Sequence, residues 1–316
     1  MNTKTKPHGL KFLILIILPI IFWACAFPSI KFILEEKHLS YINLTIMRLL
    51  VVCISFLIFI ALQRKRFNPL QKKDIIPIFL LGFFGIVGYH LGLNYGEQFV
   101  SAGAASLIIA TIPVLVTILS ILYLKEKVTI KQVIGILLSL SGVVIISILG
   151  TANATIEINY IYGALGVFFA ALMGAVYTIL GKKMLERYSA LSLTAYAMLL
   201  GSIGLIPLIN NELITEVSNL PVMAWFALIF LGLFSTIISY TLWYVALETR
   251  DATEISSYLY AIPVLSTILS YFLIGEIITI FFILGGIFVI TGLLLVNSKK
   301  SPRNLPLLRS KKKQST

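Results

Sequence analysis

The sequence predicts an all-α membrane protein with ten transmembrane helices, arranged as two five-helix repeats of inverted topology. Three observations predict it: an excess of apolar residues, the sorting of basic residues into alternate loops, and a self-match at a shift of 150 residues. Of 316 residues, 59% are hydrophobic and only 12% charged, with a mean hydropathy of +0.99. A soluble domain is roughly 45–50% apolar and about 25% charged. This chain has too few polar side chains to surround a core with water, which excludes a soluble enzyme, a disordered chain and a disulfide scaffold. Cys25 and Cys53 lie in apolar runs without CxxC spacing and read as small packing residues.

Taken in order, the apolar stretches run over 11–33, 41–62, 75–98, 101–124, 130–150, 161–184, 190–209, 221–246, 252–275 and 277–296. At 1.5 Å per residue, helices of about 20 residues cross a hydrocarbon core of ~30 Å. The first run is longer than a signal-peptide core and no small-residue cleavage site follows it, so it reads as a retained span. Tight turns separate the third from the fourth near Val100, and the ninth from the tenth at Gly275–Glu276.

Charge fixes the expected orientation. With the N-terminus inside and ten crossings, 22 of the 25 basic residues fall on the inner side, seven of them in the tail after residue 298. Lys37 alone lies in an outer loop, and Lys31 and Arg48 lie within spans. Basic residues mark the cytoplasmic side, so both termini are expected there. The net charge of +12 is a topology signal on this reading. No nucleic-acid partner is expected, because that needs a folded basic surface with aromatic platforms.

Shifted by 150 residues, 101–146 aligns with 251–296 without a gap and matches at 15 of 46 positions, including the runs IPVL and TILS. Pro113/Pro263, Glu126/Glu276, Gly135/Gly285 and Gly142/Gly292 keep the register, and Leu81/Leu231, Gly82/Gly232 and Phe84/Phe234 extend it upstream. A repeat with an odd number of spans must reverse its orientation on duplication. Inverted repeats around a site at the bilayer midplane are a feature of secondary transporters. The expected domains are 10–150, 160–297 and a basic cytoplasmic tail, 298–316.

The motifs in these segments resemble the EamA type of the drug/metabolite transporter superfamily. The residues that carry the likeness are Trp23, Phe27 and Lys31 in FWACAFPSIK, Arg48 in IMRLL, and Ser101, Ala102, Gly103, Pro113 and Glu126 in the third-to-fourth junction. Asp251, Ala252, Thr253, Pro263 and Glu276 repeat that junction more loosely. The resemblance covers about residues 10–297 and implies ten helices, two EamA repeats and export or exchange of small metabolites, often amino acids or related compounds. The second copy departs from the pattern, since it has no tryptophan where the first has Trp23 (the register gives Met173, next to Gly174) and nothing there matches Arg48.

Polar groups in hydrocarbon are costly and must face protein or water. His90, Asn94 and Glu97 share one helical face, with Gly88, Gly92 and Gly96 behind them at the spacing that lets helices approach closely. Tyr240 and Tyr244 take the positions of His90 and Asn94 in the second copy and form an aromatic stripe with Trp243 and Thr236. His90, Asn94, Tyr240, Trp243, Tyr244 and Trp23 are therefore the expected substrate-binding residues. Arg48 and Glu97 are expected to interact, directly or through water, and Glu97 and His90 are the candidates for carrying protons. Pro113 and Pro263 are the expected hinges. Glu126 and Glu276 read as helix-end residues, and Lys31 as an anchor reaching the interface.

These expectations describe a secondary transporter for small organic metabolites in the cell membrane, with no catalytic residue, metal or cofactor and with unknown oligomeric state. An intramembrane enzyme is the alternative from another class. It would need a nucleophile–base pair or a metal site, and His90 has neither a Cys partner nor an HExxH or GxSxG context. A channel or structural membrane subunit is the other alternative. No Walker A motif is present, which argues against ATP-driven pumping by this chain.

Overall fold

The computed structural model describes residues 10–149, 158–274 and 280–297. The expected loop at 150–160, the Gly275–Glu276 turn and the basic tail 298–316 lie wholly or largely outside them. Among the described residues every regular element is a helix. Ten rods follow one another: α1 Leu10–Glu35, α2 Tyr41–Arg66, α3 Lys72–Glu97, α4 Ala102–Leu124, α5 Ile130–Leu149, α6 Ile158–Met184, α7 Ala190–Leu208, α8 Val222–Thr249, α9 over 252–274 and α10 Ile280–Asn297. Among the described residues seven helices are long and apolar enough to cross a membrane, and two shorter apolar stretches lie within α5 and α10. The chain is thus a multi-pass membrane protein.

The sequence sets the helix starts. Ser40, Ser101 and Ser189 precede α2, α4 and α7, and each hydroxyl accepts from the backbone N–H three residues on, satisfying a donor that the first turn leaves open. The surface is inverted relative to a soluble protein. Leu57, Ile58, Leu137 and Phe272 face outward, whereas Arg48, His90, Asn94 and Glu97 are buried. Lipid solvates the first group, and the second is held inside.

Glycines let the rods touch backbone to backbone. A Cβ on Gly135 would lie 2.7 Å from the Gly292 carbonyl oxygen, and one on Gly142 would lie 2.5 Å from that of Gly285. Between them the Ser139 hydroxyl donates to the Val289 carbonyl, 3.2 Å away. Residues 135, 139 and 142 thus meet 292, 289 and 285. The pairing is antiparallel and reciprocal at a shift of 150, so a local twofold axis passes beside Ser139 and Val289. The relation recurs where Gly82 packs on Gly201 and Gly232 packs on Val51. On α3, Gly92 and Gly96 close against Gly166 and Gly163 of α6, giving the expected glycine seam its partner.

Two lysines, Lys31 and Lys182, make matching contacts from the C-terminal ends of α1 and α6. Lys31 donates to the carbonyls of Glu97 (3.0 Å) and Val100 (3.2 Å) and pairs with Glu35 at 3.1 Å. Lys182 donates to the carbonyls of Leu247 and Arg250, which stand 150 residues after Glu97 and Val100. Each ammonium thereby satisfies carbonyls that the end of a helix leaves open.

Helix breaks occur at matching places. Both α3 and α8 contain a π-helical segment, Phe83–Gly88 and Leu233–Ile238, again 150 residues apart. In α4 the first α segment ends at Ile109 and the next begins at Ile112, with Pro113 in its first turn. In α9 a 3₁₀ turn, Tyr258–Tyr260, precedes the segment that carries Pro263. The prolines therefore start new segments where a kink within one continuous helix was expected. A missing N–H costs least in a first turn.

Candidate functional site

The two rows of broken helices line a half-open cavity, with about 470 Å³ of space between its walls and at its mouth. Its wall is made by Trp23 and Phe27 of α1, Tyr89 of α3, Ile109 and Ile112 of α4, Gly174, Tyr177 and Thr178 of α6, Tyr240 and Trp243 of α8, and Leu259 and Ile262 of α9. Phe27 and Tyr177, Ile109 and Leu259, and Ile112 and Ile262 are pairs separated by 150. The cavity accordingly lies on the same pseudo-twofold relation as the helix packing. A second, narrower lobe shares Trp23, Phe27, Tyr89 and Tyr240, and adds Arg48, Leu93 and Ser235.

Aromatic side chains form half of the wall and brace one another. The Trp23 ring meets Tyr240 edge-on at 5.5 Å and Trp243 at 5.3 Å, and its indole N–H donates to the Ser235 carbonyl at 2.9 Å. Tyr177 meets Tyr240 edge-on at 5.5 Å. Such contacts add about 0.5–1.5 kcal/mol per pair beyond burial and hold the wall before anything binds. The lining is suited to an apolar or aromatic body with a few polar contacts.

Arg48 is the charged residue of the smaller lobe. Its Nε donates to the Thr236 hydroxyl at 2.8 Å, and one terminal nitrogen donates to the Ser235 hydroxyl at 3.1 Å. The Thr236 hydroxyl spends its own hydrogen on the Leu231 carbonyl, 2.7 Å away and five residues back, the spacing of a π turn. Its lone pairs are thereby left for the guanidinium.

Of the residues singled out by sequence, Trp23, Tyr240 and Trp243 line the larger lobe, and Arg48 lines the smaller with Trp23 and Tyr240. The polar stripe of α3 faces elsewhere. The Asn94 amide donates to Thr45 of α2 at 2.9 Å, and His90 Nδ1 lies 2.7 Å from the Ile86 carbonyl of its own helix. Tyr244 stacks on Tyr177 at 4.8 Å and donates to its carbonyl at 3.2 Å. Hence His90, Asn94, Glu97 and Tyr244 do not form the cavity wall. The expected direct bond between Arg48 and Glu97 is also not made, since both Glu97 carboxylate oxygens lack a hydrogen-bond partner and the hydroxyls of α8 take the guanidinium. Pro113 and Pro263 stand next to Ile112 and Ile262, at the breaks that border the cavity.

Sequence reasoning missed Tyr89 and Tyr177. Tyr89 lies between the glycine seam and the polar stripe, one position before His90. Tyr177 stands 150 residues after Phe27, a register that points to it.

A multi-pass helical protein with a central aromatic cavity, built from two sets of equivalent helices, belongs to the membrane-transporter class. The comparisons assign it further. The model of the EamA-like transporter family matches twice, over residues 10–148 and 161–298, and the chain belongs to this family. An uncharacterized transporter of Archaeoglobus fulgidus is 35% identical over 91% of this chain and 99% of its own length. The uncharacterized transporter YdfC of Bacillus subtilis is 33% identical over 89% of each chain. A probable terminal-alkyne amino-acid exporter of Streptantibioticus cattleyicolor is 29% identical over 90% of this chain and 92% of its own length. A solved crystal structure superposes with a TM-score of 0.70 at 17% identity, over 91% of this chain and 96% of that one, and shares the fold.

Proposed function

We propose that the protein is a secondary transporter that exports or exchanges small organic metabolites, amino acids or related compounds, across the cytoplasmic membrane by alternating access. On this reading ten helices cross the bilayer as two inverted halves, both termini are cytoplasmic, and the partners are a small-molecule substrate and lipid. The observation that carries the proposal is the cavity itself, walled by residues related by 150 and bordered by helix breaks. A site on an inversion axis presents the same walls to either side when the halves exchange conformations.

At the start of α9 the Glu126 carboxylate accepts from the backbone N–H of Ala252 (2.8 Å) and Thr253 (3.3 Å) and from the Thr253 hydroxyl (3.0 Å), while Ser120 lies 2.8 Å from that hydroxyl. A carboxylate at the start of α9 is a strong cap, and it ties α4 to α9. With basic loops inside, this tied end is cytoplasmic on the present reading.

The test is counterflow in proteoliposomes loaded with a panel of amino acids and related metabolites. A carrier gives saturable uptake accelerated by internal substrate, and Tyr240→Ala reduces it. Linear uptake with no acceleration would indicate a channel, and inert vesicles a structural subunit.

A further inference from the structure

We infer that the cargo carries one negative charge, a carboxylate on an apolar or aromatic body, and that the free end of Arg48 receives it. The inference rests on the carrier reading and adds the chemical class of the substrate.

Arg48 is only 2% exposed. Its two hydrogen-bond partners, Thr236 and Ser235, are neutral hydroxyls, and its remaining terminal nitrogen, Nη1, has no partner. Among the described residues the ion pairs within 4 Å join Lys31, Arg187 and Arg250 to carboxylates, and Arg48 is in none of them. Hydroxyls orient a guanidinium without neutralising it. A buried cation left in this state is costly unless something brings the opposite charge. Arg48 also lines the smaller lobe, beside Trp23, Tyr89 and Tyr240, and Nη1 is covered there, so an anion entering that lobe reaches the unused donors by displacing the side chains that cover them. The planar fork of arginine fits a carboxylate and can hold it by two bonds.

The single cation sets the charge of the ligand. A monoanion is neutralised one to one, whereas a dianionic phosphate would leave an unpaired negative charge among aromatic rings. The position 150 residues after Arg48 is Met198, which is fully buried, so the second half supplies no matching cation. The ligand therefore lies with its head at Arg48 and its body in the larger lobe, against Tyr177 and Trp243.

The test uses the purified full-length protein in nanodiscs and three probes with one phenylpropyl body: 3-phenylpropionate, 3-phenylpropionamide and 3-phenylpropylammonium. Binding is read from tryptophan fluorescence, since Trp23 and Trp243 line the cavity, and from thermal shift. The carboxylate is expected to bind about tenfold more tightly than the amide, with the ammonium weakest. Arg48→Met should bring the carboxylate down to the level of the amide and leave the amide nearly unchanged. The ranking in the unmodified protein needs no variant, so a failure of Arg48→Met to fold does not remove the test. The inference is overturned if the amide or ammonium binds as tightly as the carboxylate, if a folded Arg48→Met keeps the preference, or if the carboxylate shows no saturable binding at millimolar concentration. Counterflow of the same probes separates the two readings. Transport without a carboxylate preference sinks the charge assignment alone, and tight carboxylate binding without transport sinks the carrier reading alone.

Discussion

The π-helical segments of α3 and α8 share a backbone and differ in chemistry. In Phe83–Gly88 the small residue Gly85 lets the Tyr177 side chain lie against the helix; a Cβ there would come within 2.5 Å of it. In Leu233–Ile238 the equivalent position is Ser235, and Ser235 and Thr236 hold the Arg48 guanidinium. Widened turns of this kind are frequent at functional sites because they free backbone and side-chain groups from the regular ladder. Here the duplicated backbone provides the symmetric cavity, and divergence places the charge chemistry on one side of it. The frame of the cavity is therefore symmetric while the contacts it offers are not.

Making the first segment resemble the second is expected to have the largest effect. Gly85→Ser drives a side chain into Tyr177, and overpacking of this kind costs about 1–3 kcal/mol. The melting temperature in detergent should fall, and an unchanged melt would show that the π segment can widen further. Next in size is Thr236→Val, which removes one of the two acceptors of Arg48 and leaves a buried donor unpaired, at about 1–3 kcal/mol. Exchange should fall roughly tenfold, with a smaller change in melting; full activity would detach the second segment from substrate handling. A smaller effect is expected from Glu126→Ala, which removes the cap on α9 at about 0.5–2 kcal/mol. A cysteine at Thr253 should then react faster with thiol reagents from the cytoplasmic side, and unchanged reactivity would deny that Glu126 helps to close that end. The smallest effect is expected from Lys31→Met and Lys182→Met, each of which frees two helix-end carbonyls. Their losses of melting temperature should be alike if the two clasps are equivalent.

The fold was legible in the sequence because the bilayer makes hydropathy and loop charge obligatory, and because the register of 150 survives in IPVL, TILS and the glycines. That register anticipates the reciprocal contact of Gly135 with Gly292 and Gly142 with Gly285. The site was legible in part. Trp23, Tyr240, Trp243 and Arg48 reach the cavity, but a polar stripe on a helix does not reveal whether it meets a cavity or another helix. Asn94 meets Thr45, and the cavity face of α3 lies one residue back, at Tyr89 and Leu93. The wall residue Tyr177 is hidden for another reason: a tyrosine in an apolar run reads as packing until its partner across the axis, Phe27, is known to line the same space.

The central claim is that the two halves lie upside-down relative to one another. Glu36 and Glu186 are both exposed loop residues and stand 150 residues apart. Single cysteines at these positions, in a chain with Cys25 and Cys53 replaced by alanine, can be labelled with a membrane-impermeant maleimide in intact cells. The account predicts that the cysteine at position 36 is labelled in intact cells and the one at 186 only after permeabilisation. Labelling of both from the same side would contradict it.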